Sequence, residues 1–135
     1  MDVSYILDDL NDAQRQAVTS EAKKLLVLAG AGSGKTKVLV HRIAWLIKAL
    51  SSSTHSILSV TFTNKAANEM TGRIEAILDQ PIPEMWCGTF HSISNRLLRR
   101  HYKEAGLEKD FNILDSDDQL RIIKRNLKDL DIDED

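Results

Sequence analysis

The sequence predicts an α/β fold in which three parallel strands are flanked by helices. Three short apolar runs carry this prediction: "LLVLA" at residues 25–29, "SILSVTF" at 56–62 and "MWCGT" at 85–89. Uninterrupted apolar runs of this kind are typical of strands covered on both faces. Between them the apolar residues recur at helical spacing. Strands that alternate with helices pair in parallel through right-handed crossovers, so roughly the first ninety residues are expected to share one sheet.

Helices are predicted at five places. The first begins after Asn11, whose side chain is a common helix cap, and runs for about two turns. The second follows a glycine-rich segment for about 15 residues, and the third covers residues 64–78. A fourth covers residues 90–102. After a brief extended segment, a fifth is expected to start with a capping box formed by Ser116 and Gln119.

The composition fits a globular chain of at most one domain, or part of one. Its 135 residues are 42% hydrophobic and 28% charged, with a net charge of -2. No apolar run approaches the roughly 20 residues of a membrane span, and the acidic N-terminal segment is unlike a signal peptide. Cys87 is the only cysteine, which excludes an internal disulfide and favours a reducing cytoplasm. The histidines show no ligand spacing with Cys87, so no such metal site is expected.

The segment "AGAGSGKT" has the pattern of a phosphate-binding loop. It ends in Gly-Lys-Thr as such loops do, although its first position is alanine where glycine is usual. The segment lies between a predicted strand and a predicted helix, so its N–H groups and the helix N-terminus would hold phosphates. We expect Lys35 to pair with the β- and γ-phosphates of ATP, and the Thr36 hydroxyl to hold Mg²⁺. The residues expected at the nucleotide are Ala29, Gly30, Ala31, Gly32, Ser33, Gly34, Lys35 and Thr36.

Hydrolysis also requires a carboxylate on a second strand to hold the magnesium ion, and the sequence offers one weak candidate. Asp115 follows "FNIL", but Asn112 interrupts that apolar run and a predicted helix begins directly afterwards. A carboxylate at a helix start usually interacts with the helix dipole. Asp115 is therefore interpreted mainly as a helix-start residue, with a magnesium role as the alternative.

Five stretches resemble, in order and spacing, the N-terminal part of the UvrD/Rep/PcrA-like superfamily 1 DNA helicases. They are "LNDAQRQAV", "LAGAGSGKT", "VTFTNKAANEM", "GTFHSISNRLLR" and "FNILDSDDQLRIIKR", which together extend over nearly the whole chain. The resemblance implies a partial RecA-like P-loop NTPase domain at residues 1–89 and the beginning of an inserted helical subdomain at 90–135. It also implies that the magnesium-binding Asp-Glu pair and a second RecA-like domain with its arginine finger lie beyond residue 135.

The resemblance assigns nucleotide contacts to three residues outside the loop. Gln14 matches the family's adenine-reading glutamine, and its carboxamide both donates and accepts hydrogen bonds. Lys37 stands where close relatives often have arginine, so the compact ammonium group of lysine replaces the planar guanidinium group of arginine. Arg73 stands where the family has an arginine near the nucleotide; a solvated helix charge is the alternative. Lys35 and Thr36 are the expected catalytic residues, and ATP and Mg²⁺ the expected cofactors.

The resemblance also implies two blocks that contact single-stranded DNA. Phe62 resembles the family's stacking platform for a base, with burial at the end of its strand as the alternative. Thr63 and Asn64 would bind phosphates or sugars beside it. Thr89 and His91 represent the second block, at the next strand-to-helix turn. Both blocks follow the carboxyl ends of predicted strands, where parallel sheets bind their ligands.

The expected function is the N-terminal part of an ATP-dependent 3′–5′ DNA helicase that acts in repair or replication. Its expected partners are single-stranded DNA and junctions of single- and double-stranded DNA, with repair proteins as further candidates and no membrane. The expected location is a bacterial cytoplasm, in association with the nucleoid. The chain alone is expected to hydrolyse little ATP and to be marginally stable. A non-catalytic fragment that binds nucleotide or single strands is the alternative; a small P-loop kinase would leave the two DNA blocks without a role.

Overall fold

The computed structural model describes residues 2–132 and confirms an α/β chain. The helices are α1 (Asp12–Thr19), α2 (Lys35–Lys48), α3 (Asn64–Leu78), α4 (Phe90–Arg100) and α5 (Ser116–Asp129). The strands are β1 (Leu58–Thr61) and β2 (Trp86–Thr89), and two short 3-10 helices cover Ser4–Ile6 and Thr54–Ser56. Residues 1 and 133–135, at the outer ends of the two predicted domains, lie outside the described residues.

The chain divides into two compact units, Met1–Arg96 and Leu97–Asp135. The first unit contains both strands and helices α1 to α3, and the second contains α5. The division falls within α4, slightly beyond the domain boundary predicted at residue 89. Between residues 2 and 132, no helix is long and apolar enough to cross a membrane.

The sheet of the first unit has two strands rather than the predicted three. β1 and β2 pair in parallel, with Thr61 opposite Thr89. Residues 25–29 form no strand, and their side chains are exposed, Leu26 by 80% and Leu28 by 85%. An apolar run becomes a strand only where a neighbouring strand satisfies its backbone groups, and no described strand pairs with this one. The prediction of a strand at residues 25–29 is therefore wrong.

The core of the first unit lies mainly between α2, α3 and the segments that lead into the two strands. Ile43 of α2 and Met70 and Ile74 of α3 belong to one buried cluster, and each is at most 3% exposed. Helix α1 packs against α2 through a second, smaller cluster that contains Val18 and Val38. The two helices on either side of the glycine loop are thus anchored to each other by buried side chains.

Capping side chains determine where α1 and α5 begin. The Asn11 side chain accepts a hydrogen bond from the Gln14 N–H at 2.9 Å, and Gln14 Oε1 accepts one from the Asn11 N–H at 3.1 Å. The capping box predicted at Ser116 is wrong: Asp115 is the cap, and its Oδ1 accepts from the Asp118 N–H at 2.8 Å. The helix-start interpretation of Asp115 is therefore confirmed.

Candidate nucleotide and nucleic-acid site

The glycine loop turns at residues 31–34 and passes directly into α2. Gly32 and Gly34 have φ angles of +75° and +86°, in the left-handed region that glycine adopts without strain. A Cβ atom at Gly34 would also lie only 2.8 Å from Gln14 Nε2. Glycine is therefore required at this position by its backbone conformation and by the close approach of α1.

The Lys35 ammonium group is folded into its own loop. Its Nζ donates to the carbonyl oxygens of Ala29 at 3.1 Å and Gly30 at 2.7 Å. The Ser33 hydroxyl also donates to the Gly30 carbonyl, at 2.7 Å. Thr36, the second residue of α2, is exposed. A positive charge, a glycine-rich turn and the N-terminus of a helix thus meet at one place, which favours an anion.

Gln14 joins α1 to the loop. Its Nε2 donates to the Ser33 carbonyl at 3.2 Å, while its Oε1 is bonded to the Asn11 N–H. A cavity of about 260 Å³ opens beside this contact, and its lining includes Asn11, Gln14, Ala29, Ser33 and Lys35. The residue predicted to read the base and the loop predicted to bind phosphates therefore surround one cavity, as a nucleotide site requires.

Lys37 and Arg73, the other two residues predicted at the nucleotide, have different surroundings. Lys37 Nζ donates to the Asp9 carbonyl at 2.5 Å, in the segment that precedes α1. Arg73 is exposed on α3. Neither is among the residues found to line the cavity beside Gln14, so a nucleotide contact stays a prediction for both.

The two predicted DNA blocks leave the sheet side by side. Thr61 and Thr89 are opposite each other at the carboxyl ends of β1 and β2, so the residues that follow them start from adjacent points. Phe62 follows Thr61 with a relative exposure of 102%, and Phe90 follows Thr89 with 70%. Burial of Phe62 at the end of its strand, the alternative interpretation, is therefore wrong.

The polar side chains at this edge divide into two groups. The Thr63 and Thr89 hydroxyl oxygens accept hydrogen bonds from backbone N–H groups three residues later, at 3.1 and 3.2 Å. These two hydroxyls therefore hold the starts of α3 and α4. Asn64 and His91 lie in the first turns of the same helices and are exposed.

A magnesium ion at this loop would have to arrive with the nucleotide. In the part of the chain that the structure describes, no three His, Cys, Asp or Glu side chains are grouped to hold a metal ion. The hydroxyl of Thr36 is the protein oxygen expected to take part. Because Mg²⁺ in nucleotide sites is held largely by phosphate oxygens and water, one or two protein ligands are enough.

Sequence reasoning missed two side chains that bind the backbone before α1. His41 is only 8% exposed, and its Nδ1 lies 2.5 Å from the Ile6 carbonyl oxygen. Arg15 donates from Nε to the Leu7 carbonyl at 3.1 Å. Arg15 lies within the stretch "LNDAQRQAV", but the sequence analysis assigns it no role. For His41 the only signal is its spacing from Lys37, which places both on one face of a helix.

Comparison with known proteins identifies the family. Residues 10–135 match the family model described as the UvrD/REP helicase N-terminal domain. DNA helicase II of Escherichia coli (strain K12) is 58% identical over 134 residues, which cover 99% of this chain and 19% of that protein. For DNA helicase II of Haemophilus influenzae the identity is 58% over 132 residues, covering 95% of this chain and 18% of that protein. For the ATP-dependent DNA helicase PcrA of Bacillus subtilis (strain 168) it is 47% over 130 residues, covering 96% and 18%.

These matches confirm the resemblance to the UvrD/Rep/PcrA-like helicases on which the site assignments depend. The chain spans about a fifth of the length of these curated relatives.

Proposed function

Because the chain belongs to the UvrD/REP helicase N-terminal domain family, we propose that it is the ATP-binding, single-stranded-DNA-contacting N-terminal part of an ATP-dependent 3′–5′ DNA helicase. The observation that carries the proposal is that Gln14 and Lys35 line one cavity. Two relatives named as DNA helicases, at 58% and 47% identity, support it. Action on junctions of single- and double-stranded DNA, partners among repair proteins and a nucleoid-associated bacterial location belong to the same proposal and rest on the family alone.

ATP binding in this proposal exchanges contacts inside the loop for contacts to the ligand. The Lys35 ammonium group releases the carbonyl oxygens of Ala29 and Gly30 and pairs with the β- and γ-phosphates. The loop N–H groups and the N-terminus of α2 bind phosphate oxygens. The Thr36 hydroxyl would hold Mg²⁺, whose charge would offset that of the phosphates. The carboxamide of Gln14 recognises the adenine edge, since it presents a donor and an acceptor.

DNA binding in this proposal uses the exposed edge of the sheet. A base stacks on the ring of Phe62, a contact worth roughly 1–3 kcal/mol that tolerates any sequence. Asn64 and His91 donate to the DNA backbone, which positions a strand without reading it. Thr63 and Thr89 contribute by holding the starts of α3 and α4, whose N-terminal ends favour phosphate.

The proposal assigns binding, with little turnover, to this chain. Asp115, the one carboxylate that the sequence suggested for magnesium, caps α5. An arginine supplied by a second domain or protein is worth about 10³–10⁵ in the rate of related reactions. We therefore expect the purified 135-residue chain to hold ATP and to hydrolyse it slowly.

Titration with a fluorescent ATP analogue in the presence of Mg²⁺ tests the nucleotide part of the proposal. We expect saturable binding that Lys35→Ala weakens by about tenfold or more, because charge-assisted hydrogen bonds to phosphate are lost. Lys24→Ala, an exposed lysine before the loop, is the control and should leave the affinity unchanged. Equal affinity of the Lys35→Ala variant and the wild-type chain would refute the assignment.

Fluorescence anisotropy with an oligodeoxythymidine tests the DNA part. We expect Phe62→Ala to weaken binding by about tenfold, the effect of one lost stacking contact. Leu58→Ala removes a side chain that is 61% exposed at the opposite end of β1 and should have no effect. If the two variants bind equally well, Phe62 is not a stacking platform.

A further inference from the structure

Two side chains of α2 hold the backbone that precedes α1. His41 Nδ1 lies 2.5 Å from the Ile6 carbonyl oxygen, and Lys37 Nζ donates to the Asp9 carbonyl, also at 2.5 Å. Because a carbonyl oxygen only accepts hydrogen bonds, His41 must carry its hydrogen on Nδ1 to make this contact. Lys37 and His41 are about one helical turn apart and share one face of α2. We call residues 6–9 the strap.

A side chain of α1 completes this arrangement. Arg15 donates from Nε to the Leu7 carbonyl at 3.1 Å and from Nη2 to the Asp8 carbonyl at 3.4 Å. Each carbonyl oxygen of the strap thus accepts from a side chain of α1 or α2. The direction in which the chain enters α1 is fixed by both helices.

The strap leads to the cap of α1 and to Gln14. It ends two residues before Asn11, the cap of α1, whose N–H is bonded to Gln14 Oε1. The other end of the Gln14 side chain is bonded to Ser33 in the loop. Helix α2 begins at the end of the loop that contains Ser33, and its side chains also hold the strap that precedes Gln14. One helix therefore fixes both partners of the contact between Gln14 and Ser33.

We propose that His41 and Lys37 are positioning residues for recognition of the nucleotide base. Through the strap they hold the Gln14 carboxamide at the place beside the loop where it can recognise adenine. The inference rests on the proposed function, in which Gln14 reads the base. It assigns Lys37 to the backbone of the strap, and it gives a role to His41, which is buried and therefore does not contact the nucleotide itself.

The test compares ligands that differ in the base or lack it. The wild-type chain and each variant are titrated with ATP, GTP and inorganic tripolyphosphate, each with Mg²⁺. Lys37→Met keeps the aliphatic stem and removes the donor, and it should lower the ratio of ATP to GTP affinity about threefold to tenfold, as expected for one net hydrogen bond. Its affinity for tripolyphosphate should fall by less than its affinity for ATP, because tripolyphosphate has no base for Gln14 to recognise. Lys37→Arg keeps a donor and should keep the ratio.

Lys48 provides a matched control on the same helix. Its Nζ donates to Gln80 Oε1 at 3.3 Å, on the side chain of a residue outside the strap. Lys48→Met should therefore leave the ratio of ATP to GTP affinity at its wild-type value. An equal fall in the ratio for Lys48→Met and Lys37→Met would overturn the proposal.

His41 distinguishes positioning from direct contact. His41→Asn keeps an N–H donor near the position of Nδ1, whereas His41→Leu removes the donor and keeps an apolar side chain. We expect the leucine variant to lower the ratio as Lys37→Met does, and the asparagine variant to keep it. If substitutions at Lys37 change the ratio and both variants of His41 leave it unchanged, then Lys37 touches the nucleotide directly and the positioning role is wrong.

Amide hydrogen exchange provides a second measurement that needs no nucleotide. Lys37→Met and His41→Leu should speed exchange at the Asn11 and Gln14 amides, which are bonded in the cap, and leave the buried α3 residue Ile74 unchanged. Faster exchange at Ile74 to the same degree would mean a general loss of stability and would overturn the proposal.

The ligand titrations separate this inference from the function on which it rests. A wild-type chain that binds ATP no better than GTP would refute base reading by Gln14, and the positioning role would fall with it. A wild-type preference for ATP that persists in Lys37→Met and in His41→Leu would leave the proposed function standing and overturn the positioning role alone.

Discussion

Gly34 meets two separate requirements within the loop. Its φ of +86° lies where a side chain clashes with the following carbonyl oxygen, and its α-carbon faces the amide of Gln14. The first requirement comes from the tight turn into α2 and the second from the packing of α1 on that turn. A single methyl group at this position would therefore disturb the loop and the contact that Gln14 makes with it.

We expect Gly34→Ala to lower the free energy of unfolding by about 1–2 kcal/mol, the usual cost of left-handed backbone in a residue with a side chain. Gly72→Ala is the matched control, because it lies within α3 and an added Cβ there meets nothing within 4 Å. That substitution should stabilise the chain by about 0.5–1 kcal/mol. Thermal unfolding of both variants measures the difference, and a Gly34→Ala variant as stable as wild type would contradict the account.

The polar side chains around the cavity are paired before any ligand arrives. Lys35 is bonded to two carbonyl oxygens of its own loop, and Gln14 is bonded at both ends of its carboxamide. A nucleotide must therefore replace these contacts with equivalent ones. An anion does so readily, because phosphate oxygens accept charge-assisted hydrogen bonds that are stronger than those to neutral carbonyl groups.

At the scale of single elements, substitutions of Asp115 distinguish its role as the cap of α5 from a role in binding magnesium. We expect Asp115→Ala to reduce the helical circular dichroism of α5 and to lower the free energy of unfolding by about 0.5–2 kcal/mol, because the contact to the Asp118 N–H is lost. Asp115→Asn keeps an oxygen acceptor and should be nearly neutral. Both variants should bind Mg²⁺ and ATP as wild type does. A fall in Mg²⁺ affinity in the asparagine variant would restore the magnesium role.

The sequence predicts elements well where the deciding interactions are local. The five helices are confirmed because their apolar spacing and their caps, such as Asn11, depend on residues within a few positions of one another. The strand predicted at residues 25–29 depends on a neighbouring strand, which an apolar pattern does not reveal. Helix α5 likewise has an apolar stripe, yet none of its described residues is buried.

The residues of the candidate site likewise include some that the sequence predicts and some that it does not. Lys35 is predicted by the motif of its loop and Gln14 by the family resemblance, and both line one cavity. The strap could not have been predicted, because His41 and Lys37 bind backbone carbonyl groups, which every residue carries and no sequence pattern distinguishes. The sequence analysis predicts Asp115 at a helix start, but it assigns the cap to Ser116, one residue after the true cap.

At the scale of the whole molecule, residues 25–29 expose apolar side chains and a backbone that pairs with no described strand. We expect the chain to self-associate with rising concentration for this reason. The double substitution Leu26→Lys, Leu28→Lys should weaken the association and leave the circular dichroism spectrum unchanged, since both side chains are at least 80% exposed. Sedimentation velocity over a range of concentrations provides the measurement.

Leu50→Lys is the control for this prediction. Leu50 is 57% exposed just after the C-terminal end of α2, the end opposite the glycine loop, so its substitution should leave the self-association of the chain nearly unchanged. Association of the double variant at the wild-type level would show that another surface is responsible.

The pairing of Thr61 with Thr89 has a mechanical consequence for Phe62 and Phe90. Adjacent strands are about 4.8 Å apart and are tied together by backbone hydrogen bonds, so the points from which the two rings project keep a constant separation. If the sheet tilts, both rings move together as parts of one rigid unit. In the proposed DNA-binding role, any alternation between holding and releasing a strand would therefore need another surface to move against this edge, because the two paired strands do not separate.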